Sequence, residues 1–221
     1  MNKLRRIIIT TILIVCSCLT HWDQAYSGVG TAEYPFLRLD AGSRGAAMGS
    51  SFTGVADDVT AIYYNPAGLS NLKNMELSLS HLIYYEGINY ESINFGYELS
   101  EGSVLGLQIG YLNYGGIEIG VETGAGAYDT TGSTGTYNPY DLVVGLSLGQ
   151  RITKDLSLGI GIKYINEMIG TGVNAVAGDI GILYSGLMEG LKIGISLKDI
   201  DSNFKLNSFV TTLRGGASYE M

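Results

Sequence analysis

The sequence predicts an all-β protein, an antiparallel up-and-down β-barrel crossing a membrane, and three observations predict it. Segments of strand length alternate between large apolar and small residues. No run of 18 apolar residues follows Leu19, so no helix can span a bilayer there. The composition is 32 Gly and 16 Tyr against 3 Pro, which suits many short strands with small side chains on one face and ring anchors at the ends.

The alternation decides the strands. In residues 156–164, Leu156, Leu158, Ile160, Ile162 and Tyr164 share one face, with Ser157, Gly159, Gly161 and Lys163 on the other. Residues 105–111, 141–149 and 191–198 repeat the pattern. A soluble β-sandwich has the same period, but its solvated face carries Lys, Glu and Thr. Here the second face is mostly Gly and Ser, and strand glycines weaken a sheet unless something must come close to them. A narrow lumen supplies that reason. Tyr84, Tyr85, Tyr111, Tyr114, Tyr137, Tyr140, Tyr164 and Tyr184 fall near strand ends, as interfacial girdles require. Strands are expected near 75–84, 88–99, 104–114, 116–122, 140–152, 155–167, 174–185, 190–199 and 208–220. Residues 101–102, 153–155 and 186–190 read as short turns, and 123–139 as a long exposed loop.

The first 27 residues read as a signal peptide. Lys3, Arg5 and Arg6 precede an apolar stretch, Ile7 to Leu19, too short to cross as a helix, and Ala25-Tyr26-Ser27 supports cleavage before Gly28. Lipidation at Cys16 or Cys18 is the lesser reading, because the residues before each make a poor prelude. Removing Lys3, Arg5, Arg6 and Asp23 takes the 13 basic and 21 acidic residues to 10 and 20, a net charge of −10. Both Cys leave with the leader, so no disulfide or thiolate metal site is expected. No Lys/Arg block exists anywhere, which argues against nucleic-acid binding.

Residues 28–74 stand apart from the strands at 75–221 and read as a hatch or plug. Residues 56–64 predict a short helix capped by Asp57 or Asp58, ended by Asn65-Pro66-Ala67-Gly68.

In that region Pro35-Phe36-Leu37-Arg38-Leu39, Gly42-Ser43-Arg44-Gly45 with Ala47-Met48-Gly49, Ala56-Asp57-Asp58, and Tyr64-Asn65-Pro66-Ala67-Gly68-Leu69 resemble the PorV/PorQ family, within the FadL-type outer-membrane transporters. The resemblance extends over residues 35 to 221, through Asp141 to Tyr164 and Thr212 to Gly216. It implies an outer-membrane location and a FadL-like barrel with an N-terminal hatch that gates ligand passage, which makes Asp57, Asp58, Asn65, Pro66, Ala67 and Gly68 the candidate site. Members of that family have more strands. Nine strands is an odd count, and the chain stops mid-strand at Ser218 to Met221, so either C-terminal truncation or one misread strand is implied, truncation being favoured.

Three further sets of residues bear on function. Asp57-Asp58 suits helix capping better than binding a cation or a partner's arginine. His81 shares the phase of Leu77 and Leu79, toward lipid or the interface, which does not suit a sheltered catalytic base. Glu76, Glu98, Glu118, Glu122, Asp141, Lys163, Asp179, Lys192 and Lys198 fall on the inward face. No Gly-rich segment leads into Gly-Lys-Ser/Thr, so no phosphate loop is present. The chain is therefore expected to be no enzyme and to need no cofactor or metal. Its partners would be outer-membrane lipid and hydrophobic small molecules in transit, or exported proteins in a type IX secretion shuttle. A secreted soluble β-domain is the third reading.

Overall fold

A computed structural model of the chain describes residues 34–122, 128–129, 135–201 and 211–220. Eight strands follow one another across one antiparallel sheet, curled as a half-barrel. They are β1 (Met75–Ile83), β2 (Asn89–Ser100), β3 (Ser103–Asn113) and β4 (Tyr140–Arg151), then β5 (Leu156–Ile169), β6 (Thr171–Tyr184), β7 (Leu191–Asp201) and β8 (Thr212–Tyr219). Each pairs with its neighbour in sequence, so the topology is a meander. The signal peptide at 1–27, residues 28–33, residues 208–210 of the last expected strand and most of the 123–139 loop lie outside the described residues.

One expected strand is corrected. Residues 116–122 do not join the wall. Ile117–Glu118 pairs only with Thr136–Tyr137, and Val121–Glu122 only with Tyr128–Asp129, as two-residue ladders in the β3–β4 connection. Gly115, at φ 78, turns the chain out of the extended region directly after β3, a conformation glycine adopts at little cost. The wall then has eight strands among the described residues, and the odd count disappears. Glu118, expected to face inward, is exposed in this connection.

The two faces of the sheet are inverted relative to a soluble sandwich. Leu79 is 69% exposed and Ile160 59%, while Lys198 is 1% exposed and Asp141 0%. Along β5, Leu158, Ile160, Ile162 and Tyr164 are exposed and Ser157, Gly159 and Lys163 are buried. The alternation read from the sequence is thus present, with its large apolar residues outward.

The inner face is covered by residues 34–72 and is layered along the strands. At one end Tyr90, Leu112, Val143, Ile165 and Ala177 pack with Tyr34, Phe36 and Leu37. A polar tier follows, holding Asn94, Gln108, Lys163, Asp179 and Lys198. Beyond it lies a line of glycines. Gly96 faces Gly106; Gly149, Gly159 and Gly181 face one another in succession; Gly194 faces Gly216.

A β-bulge builds the polar tier. Gly178 opposes Ile200 and Ile180 opposes Leu197, so Lys198 and Asp199 together oppose Asp179. Asp199 takes φ 57. Two consecutive side chains are thereby turned inward, where a regular strand would send one out.

Candidate functional site

Residues 34–72 fold as two short helices and two 3₁₀ turns. Pro35–Arg38 and Pro66–Asn71 are the 3₁₀ turns, each with proline at its start, where the missing N–H costs nothing. Helix α1 is Ser43–Ala47 and α2 is Ala61–Tyr64. The helix expected over 56–64 is shorter than that, because Ala56 sits at φ 33 and the chain bends and turns over residues 58–60. Asp58 Oδ1 accepts from the Thr60 amide at 2.9 Å and its hydroxyl at 2.5 Å, fixing the turn into α2. Asp57 caps nothing. It binds Arg44 of α1, whose Nη1 donates to Asp57 Oδ1 at 2.5 Å and Asp58 Oδ2 at 2.8 Å.

The arginine that Asp57 and Asp58 hold is therefore in the same segment. Partial burial acts to raise the Asp57 carboxyl, but the Arg44 hydrogen bonds outweigh it and hold it below the ordinary range. Arg44 is half exposed, at 50% of its side chain, and exposed pairs contribute little. Arg44→Ala is expected to lower stability by less than about 1 kcal/mol, read as the midpoint of urea unfolding.

Asn65, Pro66, Ala67 and Gly68 lie elsewhere, deep against the wall and fully buried. Asn65 is extended (φ −156, ψ 102), as a residue before proline prefers. Its Oδ1 accepts from the Ala67 amide at 3.2 Å, and its Nδ2 donates to Thr53 O and to Ile182 O of β6, both at 3.0 Å. One side chain thus joins the segment's two halves to the wall.

The glycine line is where this contact is made. A Cβ on Gly159 would lie 2.1 Å from the Ala67 amide nitrogen and 2.2 Å from Pro66 C. On Gly181 it would meet Asn65 Oδ1 at 2.1 Å, and on Gly194 the Thr53 carbonyl at 2.0 Å. Gly96, Gly106, Gly149 and Gly216 also stand within 3.0 Å of segment atoms by this measure. Seven of the eight strands therefore wrap the segment at van der Waals contact. Small inward residues were expected for a narrow lumen; what they accommodate is the segment itself, its backbone at Gly149, Gly159, Gly181, Gly194 and Gly216 and its Leu72, Ile62 and Leu69 side chains at Gly96 and Gly106.

Hydroxyls and charges complete the seat. Ser92 Oγ donates to Ala41 O at 2.8 Å, Ser218 Oγ to Gly54 O at 3.0 Å, and Ser70 Oγ to Ser157 Oγ at 2.7 Å. At the end of α2, Ser196 Oγ donates to Tyr64 O at 2.7 Å and Lys198 Nζ to Tyr63 O. Lys198 Nζ lies 4.5 Å from the Tyr63 ring centre, and Arg214 stacks 5.3 Å and 5.5 Å from those of Tyr63 and Tyr64. Lys163 bridges Asp179 at 3.0 Å and Asp199, while Lys198 stands 3.8 Å from Asp179. Two lysines and two aspartates balance on the inner face of the sheet. Tyr63 OH donates to Leu37 O at 2.7 Å and Tyr64 OH to Asp40 Oδ1 at 2.8 Å. Burial pushes both phenols above their ordinary range, so they remain neutral donors.

Of the expected inward charges, Asp141, Lys163, Asp179 and Lys198 are buried there, and Glu76, Glu98 and Lys192 are half-buried. The Glu122 side chain lies outside the described residues. Sequence reasoning missed Asp199, Tyr63, Tyr64, Ser196 and Arg214; in-phase glycines on successive strands were the signal for the seat, and nothing local signals Asp199. His81 is exposed on the outer face, 2.6 Å from Glu91 directly opposite it on β2. At the same end an apolar cleft of about 350 Å³ opens between Phe36, Leu39, Tyr84, Ile88, Leu112 and Tyr114.

No curated protein matches the chain. The PorV/PorQ and FadL-type resemblance drawn from residues 35 to 221 is overturned by a family model that matches residues 14–185, which include the 35–69 strings that carried it. Those strings have a local cause: Asn65-Pro66-Ala67-Gly68 is shaped by its seat on the wall glycines, and short motifs set by such packing do not identify one family. The chain belongs to the uncharacterised protein family UPF0164.

Proposed function

We propose that this chain is an outer-membrane β-barrel protein whose wall faces lipid, whose bore holds residues 34–72 as a plug, and which passes hydrophobic small molecules. The observation that carries this reading is the inverted sheet, with Leu77, Leu79, Ile160 and Ile162 more than half exposed and Lys163, Asp179 and Lys198 buried. In water that arrangement loses the apolar burial that drives folding, whereas in lipid it is the stable one. Outer-face tyrosines fall toward both ends, Tyr84, Tyr85 and Tyr111 at one and Tyr97, Tyr184 and Tyr219 at the other. From Leu156 to Tyr164 the apolar run covers roughly 27 Å along the strand, or about 20 Å of height at a tilt near 40°, close to the usual lipid-facing band. The cleft beside Phe36 and Tyr84 favours apolar cargo, since its walls are aliphatic and aromatic.

Export of the chain with its leader, followed by fractionation and comparison of boiled with unboiled samples on a gel, tests the membrane reading. Outer-membrane recovery with a heat-dependent mobility shift is expected; a soluble product ends it. Transport is tested by uptake of a hydrophobic dye into cells making the parent chain or one lacking residues 42–69. Faster entry through the deletion is expected, and equal entry counts against passage through this bore.

A further inference from the structure

On the apolar-cargo reading, on which this inference rests, cargo is held in the cleft beside Phe36 and Tyr84. The cleft's volume, about 350 Å³, falls within the span of small-molecule sites. Its apolar walls favour an alkyl or aryl body, and what lies behind two of those walls points to the head group. Leu112, which lines the cleft, is directly opposite Asp141 across the β3–β4 ladder. Tyr114, which also lines it, donates its hydroxyl to Asp141 Oδ2 at 2.7 Å.

Asp141 is 0% exposed, and its other oxygen, Oδ1, has no hydrogen-bond partner among the described residues. A buried carboxylate oxygen is ordinarily met by a donor, because burial removes the water that would otherwise serve it. The charge around it is negative as well. Glu167 is directly opposite Asp141 on β5. Lys163, the next lysine along β5 on the inner face, is held by Asp179 and Asp199. Arg38 is exposed and does not line the cleft.

We propose that the cleft binds an amphiphile with a protonated amine head, its chain between Phe36, Tyr84 and Ile88 and its ammonium on Asp141 Oδ1. An ammonium is all donor and carries a positive charge. It supplies the donor that Oδ1 lacks and offsets the Asp141 and Glu167 carboxylates. A charge-assisted hydrogen bond of this kind is stronger than a neutral one. A fatty carboxylate in the same place would add a further negative charge and no donor. Tyr114 is half-buried at the start of the β3–β4 connection and is followed by Gly115 and Gly116. Its ring is therefore the part of the partition that turns to admit the head, while Asp141 stays fixed in the sheet. Because Tyr114 uses Oδ2 and the ligand uses Oδ1, the tyrosine closes again over the bound amine.

The test is displacement of phenylnaphthylamine, a neutral hydrophobic dye, from the exported chain purified in amphipol, with empty amphipol subtracted. Dodecylamine and laurate, which share a chain and differ in head charge, are the competitors. Dodecylamine is expected to displace the dye at about tenfold lower concentration. Asp141→Asn, checked for the heat-dependent mobility shift, should bring the two competitors close to equal. Tyr114→Phe uncovers the second carboxylate oxygen and should keep or widen the preference for the amine. Equal displacement of the parent's dye by both competitors, or better displacement by laurate, overturns the proposal and leaves the apolar-cargo reading intact. A preference for the amine that survives in Asp141→Asn, or that is lost in Tyr114→Phe, overturns it too. A parent chain that holds no dye at all ends the apolar-cargo reading and the proposal with it.

Discussion

Gly159→Val is expected to prevent the wall and its N-terminal segment from folding together. The new Cβ would fall 2.1 Å from the Ala67 amide and 2.2 Å from Pro66 C, and both neighbours are backbone. A flexible side-chain tip can move aside at low cost, but this turn is fixed by Asn65 on one side and by Ser70 on the other. Overpacking of this kind costs about 3 kcal/mol or more when no neighbour can yield. Gly215→Ala is the control, since its Cβ points into open space. Urea titration of the heat-modifiable band should show the Gly215→Ala chain close to the parent and no folded band for Gly159→Val. Equal midpoints for the two variants would mean that residues 34–72 are not seated on the glycine line.

The second large effect is expected at Lys163. Its ammonium, 3% exposed, is shared between Asp179 and Asp199. Lys163→Leu leaves two buried carboxylates with Lys198 alone, 3.8 Å from Asp179 and already donating to Tyr63 O. Breaking a buried pair by removing one partner costs about 3–5 kcal/mol, mostly from the charge left behind. The double variant Lys163→Leu/Asp199→Asn removes that charge and keeps a residue that tolerates the left-handed backbone at position 199. It should recover more than about 1 kcal/mol of the loss. If the double variant is no more stable than the single one, the cluster does not hold the wall together electrostatically.

Much of the wall was legible because a β-strand exposes its two faces with period two. Leu156 to Tyr164 announces both its outer and its inner side without reference to any other strand, and the expected bounds of β2, β3, β5 and β7 fall within two residues of the observed ones. The segment 116–122 misled for the same reason. Local extension and alternation do not say whether a partner strand is available, and Gly115 redirects the chain before one can be reached. Asn65 and Pro66 stood out as a turn, but the Asp57–Arg44 pair spans 13 positions and has no local signature.

By itself the sequence determined the all-β class and the phase of the wall strands, because these depend on backbone geometry and on side-chain size at neighbouring positions. Only the tertiary structure decided that the wall glycines admit residues 34–72, that Asp57 serves Arg44, and that Asp199 joins Lys163 on the inner face of the sheet. The physical reason is that close approach, ion pairing and a bulge are set by what lies opposite a residue in space. The two carboxylates that Lys163 bridges are 16 and 36 positions away along the chain, beyond any periodicity a strand can carry.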